Sequence, residues 1–408
     1  MILGEVYMKK HLFLVWEFYS GSITPLIIIM IVMTFAQYTF TNVMGISNYI
    51  GYSKKVFNES SLENALYYIP AKNEDYYALS TDEQKAQDAE TKEKLLEIDG
   101  VEELCVNRAV TGRYHDKFVN FILYDDAMLS RFKLSMDKGE WLSGEFTNDC
   151  VIGGSLFNDV DVGDEIECLL GNGSISLKIS GKMSYPAYIP QMLGGDSAEK
   201  LFRCYDNVIL MVYSPYLIEQ LKELDANVIE YENYFVILNP EISDDNKKLV
   251  TDILSATGRY LTYDEIIDNT DKVNDYRIKT KLPMPLYAFV ISSVSVFSLS
   301  LLITQKKNGE FSVYYIVGCS KKKVMALIAT ALSVVSALPC LLNIANILID
   351  PYLFRTDDSR INKANCYIDN RMIIPLIAYT IFIVAVTVGA ALSTYRNKSV
   401  ADILRRVE

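Results

Sequence analysis

Histidine is nearly absent from this chain of 408 residues, and most routes to hydrolytic or metal chemistry go with it. His11 and His115 stand alone, with no H-E-x-x-H around either, which argues against a zinc site or a histidine-based triad. There is no G-x-x-x-x-G-K-[ST], so ATP phosphates have no P-loop to sit in. Gly153-Gly154-Ser155 lacks the G-x-S-x-G spacing of a nucleophile elbow. The acidic run from Asn158 to Asp164 has its Gly163 one place early and no Glu at the twelfth position of a calcium loop, so it reads as a turn with solvated acids. No catalytic, cofactor or metal residue is predicted, and the chain does not read as an enzyme. A net charge of −12, with no sizeable basic patch outside short loops, argues against nucleic-acid binding.

Charge is also missing, altogether, from four apolar stretches: 23–44, 284–304, 324–349 and 372–394. Each can cross a hydrocarbon core of about 30 Å at about 1.5 Å of rise per residue. The first exceeds the apolar core of about 7–15 residues in a secretory signal and has no A-x-A-like cleavage site after it, so it is expected to remain as an anchor. Ahead of it, 12–19 with Phe13, Trp16 and Phe18 reads as a short interfacial helix. With no ionisable group inside the spans, ion-coupled transport has nothing to work with. Ser292, Ser293, Ser295, Ser298 and Ser300 read as packing residues of the second span, and Pro339, Asn343 and Asn346 suggest an irregular third one.

What remains is polar and unevenly charged. Residues 45–281 hold 24 Lys+Arg against 42 Asp+Glu, a net of −18, whereas the loop 305–323 has five lysines against Glu310 and the tail 395–408 is +2. Residues 1–22 and the loop 350–371 balance. Short basic segments stay in the cytoplasm, so both termini and 305–323 are expected inside, with 45–281 and 350–371 outside. The expectation is a multi-pass protein: an α-helical membrane protein with four transmembrane helices plus a mixed α+β extracytoplasmic domain, its spans bathed in lipid. Helical patterns at 81–98, 215–224, 244–254 and 263–281 and strand-like runs at 102–110, 118–124, 208–212 and 234–238 compose an α/β unit. Glycine and short β-branched runs at 150–152, 165–170 and 174–183 suggest a small β-rich insert over about 139–205.

Cys105, Cys150, Cys168, Cys204 and Cys366 fall outside in this topology, Cys319 inside and Cys340 in a span. A Cys150–Cys168 disulfide and buried free thiols are both compatible with the spacing.

The loop 305–323 carries the strongest functional signal. FSVYYIV is too aromatic for a tether; as a helix at the membrane surface it would present Phe311, Tyr314 and Tyr315 on one side, with lysines at its ends, as a docking element for a cytoplasmic partner. Glu310, then Gly318 eight residues on, then Cys319-Ser320-Lys321-Lys322 resembles the loop of permease subunits of the MacB/FtsX family of ABC transporters. Ser399-Val400-Ala401-Asp402-Ile403-Leu404-Arg405 is similar to that family's S-P-x-E-A-L-R ending with Val400 for Pro, and Gly139-Glu140-Trp141-Leu142 and Val151-Ile152-Gly153 through Val162-Gly163-Asp164 to its β-rich external insert. The resemblance implies two copies of the permease paired with two cytoplasmic ABC ATPase subunits, which bind the ATP and magnesium. It further implies an α/β porter-like external unit and the conversion of ATPase motion into external movement, for export of, or resistance to, peptides or amphipathic antimicrobial compounds. An FtsX-like regulator of a cell-wall hydrolase and a membrane-anchored receptor without an ATPase are the rival readings. On the family reading, Glu310, Phe311, Tyr314, Tyr315, Gly318, Lys321 and Lys322 dock the ATPase. Thr34, Gln37, Ser292 and Ser295 pack between two copies, and 263–281 is a stalk carrying Ile266, Val273 and Tyr276.

Overall fold

The computed structural model describes residues 23–72, 74–143, 148–153, 155–184, 187–192, 194–205, 207–353 and 368–396. The sequence readings at 1–22 and 397–408, including the similar C-terminal motif, and Cys366 lie outside them. The chain divides into two compact units: Ser47–Tyr276 forms one, and Arg277–Asp350 joins the described parts of Met1–Ile46 and Ile368–Glu408 in the other.

In chain order the elements are α1 (Ile23–Asn58), β1 (Ala65–Pro70), α2 (Glu74–Ala78), α3 (Thr81–Leu96), β2 (Val101–Tyr114), β3 (Lys117–Tyr124), α4 (Asp126–Arg131), β4 (Met136–Gly139), β5 (Asp149–Gly153), β6 (Glu165–Leu170), β7 (Gly173–Met183) and β8 (Ala187–Pro190). There follow α5 (Ala198–Leu201), β9 (Phe202–Tyr205), β10 (Val208–Val212), α6 (Pro215–Glu223), β11 (Ile229–Leu238), α7 (Asp244–Thr257), β12 (Gly258–Thr262), α8 (Tyr263–Lys281), α9 (Pro283–Lys306), α10 (Asn308–Ile316), α11 (Lys321–Leu353) and α12 (Asn370–Arg396).

Local chemistry explains the starts and stops. Ser80 and Glu83 form a reciprocal capping box at α3. Ser214 accepts the Leu217 amide ahead of Pro215 at α6, where a missing N–H costs nothing. Gly171 turns the β6–β7 hairpin at φ +55°, and a Cβ there would lie 2.2 Å from the Leu224 carbonyl oxygen, so glycine is required twice over.

Ten strands form one mixed sheet in the order β12-β1-β11-β2-β3-β10-β5-β7-β4, with β6 bridging β2 and β7. Only the β3–β10 and β5–β7 pairs are parallel. One core, with Leu66, Val106, Val236, Val250 and Leu254, lies between the sheet and α3 and α7. A second gathers Phe121, Ile152, Leu177, Ile209 and, from α6, Leu217 and Leu221. On β11, Tyr234 belongs to the first core while Phe235, one residue on and facing the other way, meets Phe57, Phe132 and Tyr67.

Among the described residues, four helices are long and apolar enough to cross a membrane: α1, the run Tyr263–Lys306 containing α8 and α9, α11 and α12. Together with the mixed sheet they give the fold class read from the sequence.

Several details differ from that reading. The first apolar stretch is part of a longer helix: α1 continues to Asn58, with Tyr49, Ile50 and Phe57 buried beyond the hydrophobic run. Of the strands within 139–205, β5 joins the main sheet between β10 and β7, and β6 pairs with β2 and β7, while β8 and β9 form a two-stranded sheet of their own. The third span, despite Pro339, is one α-helix through Leu353, and Asn343 Nδ2 donates to the Pro339 carbonyl at 2.9 Å. Cys105, Cys150 and Cys168 are free and buried, so the Cys150–Cys168 bridge is not made. Desolvation raises all three thiols, Cys168 to about 12 with help from Glu167, and keeps them protonated as small apolar groups.

Candidate docking helix and stalk

The basic loop between α9 and α11 folds as the short helix α10. Gly318 closes it at φ +89°, where the Gly318 amide donates to the Tyr315 carbonyl at 3.0 Å and the Cys319 amide to the Tyr314 carbonyl at 2.8 Å. This pair of bonds is a Schellman cap, which favours glycine at that position. Lys307 Nζ lies 2.6 Å from Glu310 Oε1, with Lys307 buried and Glu310 half exposed.

The aromatic face of α10 is turned toward the neighbouring helices. Phe311 is 1% exposed, inside a cluster with Ile303, Val324, Leu327 and Ile328, and Tyr314 and Tyr315 pack against the same cluster. What α10 leaves open is aliphatic: Val313, Ile316 and Val317 are 57%, 72% and 75% exposed. Their i, i+3, i+4 spacing was available in the sequence. It was missed because bulk and aromaticity marked Phe311 first, whereas in a chain with apolar helices on both sides the largest ring is the one those helices bury. Gly318 and Lys322 are exposed and Lys321 half-buried next to this aliphatic patch.

The predicted packing residues of the spans are likewise turned inward. Gln37, fully buried, donates to Thr380 Oγ1 at 3.2 Å and accepts from Asn343 Nδ2 at 3.1 Å. Ser292, also fully buried, shares a 2.5 Å hydrogen bond with the Tyr379 hydroxyl, whose ring stacks on Phe289 at 4.2 Å. Gln37 and Ser292 therefore knit helices of one chain together. Thr34 and Ser295 are half-buried. The exposed faces of α1 and α9 are apolar, carrying Ile27, Ile31 and Phe35 and Tyr287, Ile291 and Val294.

In the sheet unit, the start of α8 lies antiparallel against the end of α1. Ser47 Oγ donates to Asn274 Oδ1 at 2.8 Å, Lys54 Nζ reaches Asp271 at 2.7 Å, and the Tyr263 hydroxyl donates to Asn58 Oδ1 at 2.9 Å. Phe57 and Tyr263 stack at 5.1 Å. The segment 187–202 grips both helices: the Ala198 amide donates to buried Thr270 Oγ1 at 2.8 Å, and Tyr188 packs its ring on Tyr49 and Tyr52 at 5.2 and 4.7 Å. Of the stalk residues, Ile266 is buried, Val273 half-buried and Tyr276 72% exposed. The apolar stripe is thus most deeply buried over the first turns of α8.

No family model matches the chain, and no curated protein does. Among solved structures it is similar to the periplasmic region of MacB from Actinobacillus actinomycetemcomitans, at 10% identity and TM-score 0.32 over 53% of this chain and 94% of that one. It is also similar to the extracellular domain of the ABC-type transporter YknZ from Gram-positive bacteria, at 16% identity and TM-score 0.27 over 48% of this chain and 98% of that one.

Proposed function

We propose that the chain is the permease subunit of an ABC transporter of the MacB/FtsX kind, working as a homodimer with two cytoplasmic ATPase subunits. The observation that carries this reading is α10: a capped helix in a basic loop between two membrane-capable helices, with an aliphatic patch open to a partner. No P-loop is present in the sequence, so the energy source is assigned to the partner. Val313, Ile316 and Val317 dock the ATPase, flanked by Glu310, Lys321 and Lys322, while Phe311, Tyr314 and Tyr315 brace the helix from behind. Motion then passes along the chain into α8 and its α1 partner, and the sheet unit, acidic and extracytoplasmic on the charge distribution, does the external work. The substrate class that fits is peptides or amphipathic antimicrobial compounds, and the apolar faces of α1 and α9 meet lipid and the second copy. Both termini are assigned to the cytoplasm.

The test is purification of the tagged chain from its native membrane. The reading expects a co-purifying subunit with a Walker motif and ATP hydrolysis in the eluate; a chain that elutes without either contradicts it.

A further inference from the structure

Arg277, Lys279 and Lys281 close α8, and Pro283 opens the apolar helix α9 two residues on. A fourth cation stands level with them. Leu282, next to Lys281, packs against a cluster of Phe40, Ile347, Met372 and Leu376, and Met372 is the neighbour of Arg371, so the first turn of α12 lies beside the α8–α9 junction. The Arg371 side chain is 81% exposed, 3.7 Å from Asp369, whose carboxylate also accepts the Asn370 amide. Lys279 and Lys281 are exposed and Arg277 half-buried. Among the described residues, neither Arg277 nor Lys281 forms an ion pair. From Arg277 to Ile349 the only acid is Glu310, beyond the far end of α9.

The sign of this cluster is out of place twice. Lysine and arginine near the ends of spans ordinarily gather on the cytoplasmic side, whereas the charge distribution puts 45–281 outside. Those residues also carry a net −18, so three cations at their end oppose the charge of their own domain. What the cluster meets is told by the helix itself. The chain stays helical through Leu282, at φ −66° and ψ −34°, which puts Arg277, Lys281, Met284 and Ile291 on one face at i, i+4, i+7 and i+14. Met284 and Ile291 are exposed apolar residues of a membrane-capable helix, so acyl chains lie against them. Lys281 stands about one turn above Met284, at the depth where a lipid carries its phosphate, and long basic side chains at helix ends reach that layer.

We propose that Arg277, Lys281 and Arg371 hold the headgroup of an anionic phospholipid whose acyl chains run along Met284 and Ile291, at the extracytoplasmic end of the spans. The proposal goes beyond the permease reading and takes from it only the outward assignment of 45–281.

The experiment uses the full chain with Met284→Trp as a reporter and with Trp16→Phe and Trp141→Phe to silence the two native tryptophans. It is reconstituted in phosphatidylcholine containing either brominated phosphatidylglycerol or brominated phosphatidylcholine, and quenching of the reporter gives the relative affinity of the two lipids for this helix face. Phosphatidylglycerol is expected to be preferred. Arg277→Gln with Lys281→Gln should lower the preference roughly tenfold or more, since each cation at an anionic surface contributes about fivefold, or about 1 kcal/mol. Arg277→Lys with Lys281→Arg keeps the charges and should keep the preference, which separates loss of charge from loss of structure. Equal quenching by the two lipids, or an undiminished preference in the glutamine variant, overturns the proposal. So does a preference abolished by inorganic phosphate at constant ionic strength, which would make a free anion the ligand. The quenching reads the lipid whichever way the chain faces, and co-purification of an ATPase is unaffected by these variants, so failure here and failure of the permease reading are separate results.

Discussion

In the sheet unit, two clusters of apolar side chains carry the packing; in the helical unit, a chain of amides and hydroxyls, Gln37, Asn343 and Thr380, runs through the middle of it. The reason is the surroundings each unit is built for. Where water lies outside, apolar side chains go in and their burial supplies the stability. Where the outward faces are themselves apolar, as on α1, α9 and α12, water-driven sorting cannot say which face turns inward, and hydrogen bonds and small residues set the choice. The same contrast separates the faces of α10, whose large rings are consumed by neighbouring helices and whose smaller aliphatic residues remain outside.

The largest effect expected from this contrast is in the sheet unit. Phe121→Ala removes a fully buried ring from the second core and should cost about 3–5 kcal/mol, seen as early thermal unfolding and protease cleavage within Ser47–Tyr276. A loss under about 1 kcal/mol would mean that this core is not close-packed. Next comes the helix pair. Glycines at Asp271 and Lys272 should cost about 1 kcal/mol each, and the first also removes the contact to Lys54, itself exposed enough to add little. ATP hydrolysis should survive while the resistance or export phenotype is lost; a variant keeping both would make α8 a passive tether. The smallest effect belongs to the helical unit. A double-mutant cycle of Gln37→Leu with Thr380→Val should return a coupling of about 0.6 kcal/mol, typical of hydrogen bonds between membrane helices. Zero coupling would place the specificity of that packing elsewhere.

This contrast also explains what could be read from the sequence. Period-2 burial marks β6 and β7, where buried and exposed residues alternate from Glu165 to Leu170, and those strands are visible in the letters alone. β1 and β12 were not visible: Ala-Leu-Tyr-Tyr-Ile-Pro is buried on both faces, and Gly-Arg-Tyr-Leu-Thr is an edge strand with no apolar alternation, so only pairing reveals them. That β5 joins the main sheet is a long-range fact, carried by Cys150 opposite Met211 and Val151 opposite Leu210. In the helical unit, hydropathy locates the spans but carries no information on which face of each helix turns to its neighbours, so the hydrogen bonds of Gln37 and Ser292 within the chain are not legible in the letters.

The central claim is that α10 meets its partner through Val313, Ile316 and Val317 and not through its rings. Ile316→Asp puts a charge into that patch without touching the buried cluster, and truncated hot-spot residues cost about 2 kcal/mol or more. The measurement is the amount of ATPase retained on the purified permease, with the melting temperature taken in parallel. The account predicts loss of the ATPase at unchanged melting temperature for Ile316→Asp, and a lowered melting temperature for Phe311→Ala. Full retention of the ATPase by Ile316→Asp, with the helical unit intact, would contradict it.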